Sequence, residues 1–392
     1  MRKSLLPAGG VNLFQGIKTK CREAEASGQK LYRLSIGQPA GPALLSARKA
    51  AAEAVMSDLE SMHEYQDNGS PGIPDFARRF IQAHFDFNLA GKDVDYLPIP
   101  GNKPMLGLAE LACGAARQQY IIGTMDKPGY PTPTDWAKYL HLKQYTLPLN
   151  PENKFRFQPA DIKKGTRLLS VNYPHNPSGQ IATREWWTSI CAHCAKNDIR
   201  LFNDNPYYVL SHIKESCALT EVAADFRELS WAEAFSASKV ISNGTGWRIG
   251  AMVGSPDFIG DIATIKGNTD SGFVAPMAIG VLNAIENDKV NVAACRELYK
   301  RRIKILIDIL AGHGMRLAIE PGAGFFTLWK RPDKAFGEAI KDAEHFNYLM
   351  IERTGVVGVH FDPYMRYSVT GNIEAMANVI EDAFAKAKIG YK

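Results

Sequence analysis

Short apolar runs alternate with amphipathic segments through the middle of the chain. Residues 167–171, 200–203 and 231–235 are apolar and strand-like, whereas residues 184–197 have the hydrophobic spacing of a helix. A succession of strand, loop, helix and strand is typical of a parallel sheet covered by helices on both faces. We therefore expect an α/β fold whose central sheet is mostly parallel and flanked by helices.

The pattern changes near residue 290, where a long helical run begins and extends to about residue 312. Strand-like runs and two further helical stretches, near 335–352 and 373–388, follow it. This part predicts a smaller α+β domain. The expected division is an N-terminal arm with part of the small domain (1–46), a large cofactor-binding domain (47–290) and a C-terminal small domain (291–392).

Polar and aromatic residues follow the predicted strands. In sheets of this class the loops at the carboxyl ends of the strands face one crevice, so these residues should converge there. They are Gly101, Asn102 and Lys103 in one turn, then Tyr130, Asn176, Asp204 and Tyr207.

The stretch from Ser236 to Gly250 places Lys239 just after two serines and ahead of Arg248, between two apolar runs. Burying a charged lysine near buried strands costs desolvation free energy, so a lysine at such a position suggests a functional role. Taken alone, the stretch is also consistent with a surface loop and a solvated lysine. The functional interpretation is a lysine that forms a Schiff base, with hydroxyls and an arginine for a phosphate.

A pyridoxal phosphate site would need all of these groups. Asp204 could keep the pyridine nitrogen protonated, and Tyr207 with Asn176 could bond the ring oxygen. Tyr130 could stack on the ring face.

The phosphate would need backbone N–H groups at a helix start, hydroxyls and a bidentate cation. The turn at Gly101, Asn102 and Lys103, together with Ser236 and Arg248, offers these groups. Lys239 would supply the amine.

Four short motifs occur in one order along the chain: Asn176-Pro-Ser-Gly179, Asp204-Asn-Pro-Tyr207, Ser236-Ala-Ser-Lys239 and Gly246-Trp-Arg248-Ile-Gly250. In this order and spacing they resemble those of fold-type I pyridoxal-phosphate enzymes of the class I/II aminotransferase family. The resemblance implies that Lys239 binds the cofactor and moves the proton between the substrate α-carbon and the cofactor.

The resemblance also assigns residues outside the four motifs. It implies that Arg366 grips the substrate α-carboxylate and that Gly37 and Asn176 line the same subsite. Tyr65 would reach the phosphate in a partner subunit, so a homodimer is expected.

The implied activity is transfer of an amino group between an L-amino acid and a 2-oxo acid such as 2-oxoglutarate. Aspartate, diaminopimelate-type and aromatic donors all remain open. One alternative on the same scaffold is a β-eliminating carbon–sulfur lyase or a cyclising enzyme. Another is a non-catalytic binding protein that kept the fold.

The composition of the chain limits the classes of function that it can have. The 392 residues are 45% hydrophobic and 22% charged with a net charge of +5, and the basic residues are scattered, so nucleic-acid binding is not indicated. No apolar stretch is long enough to predict a membrane span. The six cysteines show no paired framework, and Cys191-Ala-His193-Cys194 lies on a predicted helix, so we expect no metal site. A reduced, cytoplasmic protein is predicted.

Overall fold

The computed structural model describes residues 13–66 and 72–392, so residues 1–12 of the predicted arm lie outside the described part. Helices cover both faces of a large sheet and one side of a smaller one. In chain order they are α1 (Leu13–Ala26), α2 (Leu45–Val55), α3 (Phe76–Gln82), α4 (Asn102–Ala112), α5 (Thr132–Tyr139), α6 (Arg184–Lys196), α7 (Thr220–Ala223), α8 (Ala237–Val240), α9 (Pro256–Lys266), α10 (Ala275–Asn287), α11 (Lys289–Gly312), α12 (Ala343–Thr354) and α13 (Ile373–Ala387).

The strands are short, and all seven of those between residues 95 and 254 form one sheet. In chain order they are β1 (Tyr32–Arg33), β2 (Asp95–Ile99), β3 (Ile121–Thr124), β4 (Lys143–Thr146), β5 (Thr166–Val171), β6 (Arg200–Asn205), β7 (Trp231–Ser236), β8 (Gly250–Gly254), β9 (Leu317–Ile319), β10 (Phe326–Lys330), β11 (Lys334–Ala335), β12 (Glu338–Ala339), β13 (Val356–Val357), β14 (Val359–Phe361) and β15 (Tyr364–Ser368).

The large sheet has seven strands in the order β2-β8-β7-β6-β5-β3-β4. Strands β3 to β7 are parallel to their neighbours in this group, and β8 runs antiparallel to both β7 and β2. The expected mostly parallel sheet flanked by helices is therefore confirmed.

Both faces of the sheet are buried because successive apolar side chains point to opposite sides. On β5, Leu169 joins the hydrophobic core on one face while Leu168 joins the core on the other. On β6, Leu201 and Phe202 divide in the same way. This two-sided burial holds the strands rigidly and fixes where their carboxyl ends lie.

The smaller sheet is antiparallel, in the order β14-β15-β10-β9. The helix predicted near 335–352 is wrong over its first half, where β11 and β12 form a hairpin. Phe336 and Gly337 have φ values of 55° and 83°, a left-handed conformation that reverses the chain. Helix α12 begins only after Asp342, whose side chain accepts a hydrogen bond from the His345 N–H at 2.7 Å.

Helix α1 packs on the smaller sheet. Its Ile17 and Cys21 share a hydrophobic cluster with Val359 and Phe361 of β14. The seven-stranded sheet lies wholly within residues 47–290, and the antiparallel sheet lies wholly within residues 291–392. The exact domain boundaries stay a prediction.

No helix in residues 13–66 and 72–392 is long and apolar enough to cross a membrane. Cys191 and Cys194 lie in α6, as predicted, and are buried there; all six cysteines are free thiols. Within the same described ranges, no group of three or more His, Cys, Asp or Glu side chains is arranged to hold a metal ion.

Candidate active site

A cavity of about 770 Å³ lies where the carboxyl ends of the parallel strands meet the smaller sheet. Most of the residues that the sequence singled out line it. They are Gly37, Asn102, Lys103, Tyr130, Asn176, Asp204, Tyr207, Ser236, Lys239, Arg248 and Arg366.

Lys239 lies in the short helix α8, directly after β7. Its ammonium nitrogen is 5.7 Å from the centre of the Tyr207 ring. Burial lowers the pKa of Lys239 to about 8, a shift that Asp204 opposes and Arg248 supports. A lysine with a pKa near neutrality is partly an uncharged amine, which is the nucleophilic form.

Asp204 lies near the end of β6 and is 8% exposed. Its Oδ1 accepts a hydrogen bond from Asn102 Nδ2 at 2.7 Å. Burial raises the pKa of Asp204 to about 6, while the Asn102 hydrogen bond and the charge of Lys239 hold it down. Among the described residues that line the cavity, Asp204 is the one carboxylate.

Helix α4 begins at Asn102, and Gly101 before it has a φ of 82°. A side chain at position 101 would place its Cβ 2.4 Å from Arg248 Nη2, so the turn requires glycine. Arg248 donates from Nη2 to the Pro100 carbonyl and from Nη1 to the Thr245 carbonyl, both at 2.9 Å. These bonds hold the guanidinium against the amino end of α4, beside Lys103, where an anion would be stabilised.

Two serines complete this end of the cavity. Ser236 Oγ accepts a hydrogen bond from the Ser238 N–H at 3.1 Å and donates one to Ser238 Oγ at 2.8 Å. Ser236 thereby caps α8, the helix that carries Lys239. Hydroxyls, a guanidinium and helix N–H groups thus occupy one corner.

Arg366 occupies the opposite side of the cavity, in the middle of β15, and is 2% exposed. It donates from Nη1 to Asn176 Oδ1 at 2.8 Å and from Nη2 to the Ser35 carbonyl at 3.0 Å. The Phe326 ring lies 4.2 Å from its guanidinium carbon. Burial lowers the pKa of Arg366 to about 10. A buried guanidinium that has no carboxylate partner within residues 13–66 and 72–392 suits an anionic substrate group.

Asn172 is a site residue that the sequence reasoning did not single out. It donates from Nδ2 to the Asp204 carbonyl at 2.6 Å and accepts at Oδ1 from the Asn176 N–H at 2.9 Å. It therefore fixes the spacing between the strand that carries Asp204 and the loop that carries Asn176. Its place directly after the 167–171 strand was the available signal.

Glu233 was also missed as a site residue. It is fully buried on β7, and its carboxylate accepts five hydrogen bonds on the face of the sheet opposite Asp204. The donors are Asn203 Nδ2 and Asn205 Nδ2 at 2.7 Å, the Leu219 N–H at 3.2 Å, and the N–H and Oγ1 of Thr220 at 2.7 and 2.6 Å. Because Asn203 and Asn205 flank Asp204, Glu233 braces its strand from behind.

Tyr65 is not brought to this cavity. It is 82% exposed and precedes Gln66, a buried residue that forms an isolated bridge with Gly272. Its predicted contact with a partner subunit stays a prediction. Tyr130 lines the cavity half-buried, and Gly37 faces Phe326, where an added Cβ would lie 3.8 Å from the ring.

The fold is that of known aminotransferase structures. A solved mutant of aspartate aminotransferase from Thermus thermophilus superposes with a TM-score of 0.83 at 20% identity, covering 97% of each chain. At this identity the likeness establishes the fold alone.

Sequence comparison defines the family. The model of aminotransferase class I and II matches residues 29–382, so this chain belongs to that family. It is 29% identical over 311 residues to LL-diaminopimelate aminotransferase of Methanocaldococcus jannaschii, covering 77% of this chain and 72% of the relative. It is 25% identical to LL-diaminopimelate aminotransferase 2 of Trichormus variabilis, covering 91% of both. The protein is an enzyme that transfers amino groups.

Proposed function

We propose that the cofactor is pyridoxal 5′-phosphate and that the enzyme transfers an amino group from a diaminopimelate-type L-amino acid to a 2-oxo acid such as 2-oxoglutarate. The observation that carries the cofactor assignment is the convergence of Lys239, Asp204 and Arg248 on one cavity. An amine, a buried carboxylate and an anion-binding corner match the aldehyde, the ring nitrogen and the phosphate.

The residues present fit that group. Asn102 Oδ1 and Arg366 Nε are buried and have no hydrogen-bond partner among the described residues, so the cavity holds polar atoms that await a ligand. Because Gly101 has no side chain, the Arg248 guanidinium can lie against the start of α4, where a phosphate would be stabilised.

Under this proposal, Lys239 and Arg366 have separate roles in the reaction. Lys239 Nζ takes the proton from the substrate α-carbon, and its lowered pKa keeps part of it in the basic form. Arg366 orients the α-carboxylate, with Asn176 holding one of its nitrogens. When bound, the cofactor supplies an electron sink for the charge left on the α-carbon.

The corner residues hold the cofactor in place. Arg248, Ser236 and the turn from Gly101 to Lys103 bind the phosphate, and Tyr207 with Asn176 bonds the ring oxygen. Tyr130 stacks on the ring, and Asp204 pairs with the ring nitrogen.

The donor assignment follows the names of the two relatives described above. Aspartate and aromatic amino acids are the competing donors. A panel of amino acids against 2-oxoglutarate, followed through the cofactor spectrum, tests the proposal. Conversion to the amine form of the cofactor by a donor alone supports transamination, whereas release of pyruvate and ammonia from cystathionine would support the lyase.

A Lys239→Ala variant tests the cofactor assignment directly. We expect it to lose the visible absorbance of the bound cofactor and to fall in turnover by about a thousandfold or more. Lys20→Ala, which removes a lysine that pairs with Glu23 and Glu352 and does not line the cavity, is the control and should keep the absorbance. Unchanged absorbance and turnover in Lys239→Ala would refute the proposal.

We also propose a homodimer in which Tyr65 reaches the phosphate in the partner subunit. Large apolar side chains are exposed near Tyr65, among them Met56 at 82% and Leu59 at 64%, and such surfaces are usually covered. Mixing Lys239→Ala with Tyr65→Ala chains tests this. Hybrid dimers would contain one intact site and regain activity, which monomers could not do.

The cellular location is a further part of the proposal. All six cysteines are free thiols, which fits a reducing compartment such as the cytoplasm. Fractionation of cells that express the tagged protein would test it.

A further inference from the structure

The cavity is lined by far more positive than negative side chains. Among the described residues, six cationic side chains line it against the single carboxylate of Asp204. The cations are Lys18, Arg33, Lys103, Lys239, Arg248 and Arg366. An excess of this size predicts a ligand with several negative charges.

The inner cations already have tasks under the proposed function. Arg248 faces the phosphate corner, Arg366 faces the α-carboxylate, and Lys239 carries the chemistry. Lys103 lies at the start of α4, beside Asn102 and near Arg248, so its charge belongs to the phosphate end. Lys18 and Arg33 are not yet assigned to any anionic group of the cofactor or the substrate.

Helix α1 brings Lys18 to the substrate side of the cavity. Its Ile17 packs with Phe361, whose ring lies 5.6 Å from the guanidinium carbon of Arg366. Ile17, Lys18 and Cys21 of α1 all line the cavity. The wall formed by α1 is therefore one aromatic ring away from the α-carboxylate subsite.

A second set of contacts places Arg33 on the Arg366 side of the cavity. Arg366 donates to the Ser35 carbonyl at 3.0 Å, and Arg33 lies two residues before Ser35 along the chain. Arg33 also interacts with Cys21 of α1, so the two segments meet at this wall. Two independent routes thus place Lys18 and Arg33 on the same side as Arg366.

The two cations differ in what already neutralises them. Arg33 Nη2 is 2.8 Å from Glu25 Oε1, an ion pair that orients the guanidinium. Lys18 is exposed and makes no ion pair or hydrogen bond with any described residue. Lys20, two residues later on the same helix, contacts Glu23 and Glu352 instead and does not line the cavity.

We propose that Lys18, supported by Arg33, forms a subsite for the second carboxylate of a dicarboxylic amino acid whose α-carboxylate is held by Arg366. A cation on a flexible stem can follow side chains of several lengths, so the subsite would accept a long substrate such as diaminopimelate as well as shorter diacids. The inference rests on the proposed function because it assumes that the substrate α-carboxylate binds Arg366.

The test compares dicarboxylic donors with neutral donors of the same chain length. Glutamate is compared with norvaline and 2-aminopimelate with 2-aminoheptanoate, using the holoenzyme and following conversion of the cofactor. In Lys18→Ala the ratio of kcat/KM for the diacid to that for its neutral partner should fall about ten- to a hundredfold, as expected for a lost charge-assisted hydrogen bond. Lys20→Ala is the matched control and should keep the parent ratio.

A binding measurement gives a readout without turnover. The dissociation constant of an unreactive diacid, adipate, should rise in Lys18→Ala relative to that of hexanoate, and Lys18→Arg should restore it. An unchanged ratio in Lys18→Ala, or a loss found only in Lys103→Ala, would overturn the inference while leaving the aminotransferase intact. Failure of every donor to convert the cofactor would overturn the proposed function and the inference with it.

Discussion

Two buried glutamates of this protein lie in very different surroundings. Glu233 and Glu110 are both fully buried, one on β7 of the central sheet and the other near the end of α4. Five hydrogen-bond donors surround the Glu233 carboxylate. Both carboxylate oxygens of Glu110 are buried without a partner among the described residues.

The difference in hydrogen-bond donors affects the pKa of each carboxyl group. An ionised carboxylate only accepts hydrogen bonds, so five donors suit a charged Glu233 and oppose the rise in its pKa that burial causes. Burial alone raises the pKa of Glu110 to about 9, so it is a neutral acid at pH 7. Equal burial therefore leaves Glu233 with donors that oppose the rise in its pKa, whereas Glu110 has none among the described residues.

Asp204 stands between these extremes, with one side-chain donor from Asn102 and a pKa raised to about 6. Of the three carboxylates, it alone lines the cavity. The three carboxylates thus differ in the number of donors that oppose the rise in pKa caused by burial.

The largest effect is expected from Asp204→Ala. It removes the carboxylate proposed to pair with the cofactor ring nitrogen, and kcat/KM should fall by about a thousandfold or more. Asp204→Glu, which keeps the charge, should retain more activity. Steady-state kinetics with saturating cofactor measure both, and a loss below tenfold in Asp204→Ala would place the essential charge elsewhere.

Glu233→Ala should lower the free energy of unfolding by about 4 kcal/mol, because it leaves five buried donors without their acceptor. Denaturant unfolding of the protein without cofactor measures this. Glu233→Gln keeps the shape but brings an amide N–H group towards those donors, so it should recover part of the stability only. Equal stability of parent and Glu233→Gln would show that the charge is not used.

Glu110→Gln is expected to stabilise the protein, in contrast to any change at Glu233. The Glu110 pKa of about 9 in the fold lies above its ordinary value of 4.5, so its contribution to stability is full below pH 4.5 and is lost as the pH rises towards 9. At pH 7 the gain from glutamine should be about 3 kcal/mol. Unfolding at several pH values measures it, and a gain that does not grow with pH would contradict the neutral acid.

The smallest effect concerns Lys239, which follows β7, the strand that contains Glu233. With its pKa lowered to about 8, the rate at which the cofactor-free protein takes up pyridoxal phosphate should rise about tenfold between pH 7 and 9 and then level off. Stopped-flow absorbance measures this rate. A continued rise to pH 10, as for an ordinary lysine, would show that burial does not tune the amine.

Much of the site was determined by the sequence alone. Apolar runs of the parallel-sheet type predicted where strands end, and the order of the four motifs predicted that Lys239, Asp204 and Arg248 share one site, where they line the same cavity. These signals are local because a strand buried on both faces must be apolar and the loop after it carries the polar groups.

Only the tertiary structure determined the features that depend on contacts between segments far apart in the sequence. The strand register places Asn203 opposite Glu233, so that Glu233 stabilises the strand that carries Asp204. The packing of α1 near Arg366 places Lys18 at the cavity. The left-handed residues Phe336 and Gly337 form a hairpin where the first half of a helix was predicted. Burial and hydrogen-bond partners assign the charge of a side chain, and both exist only once the chain has folded.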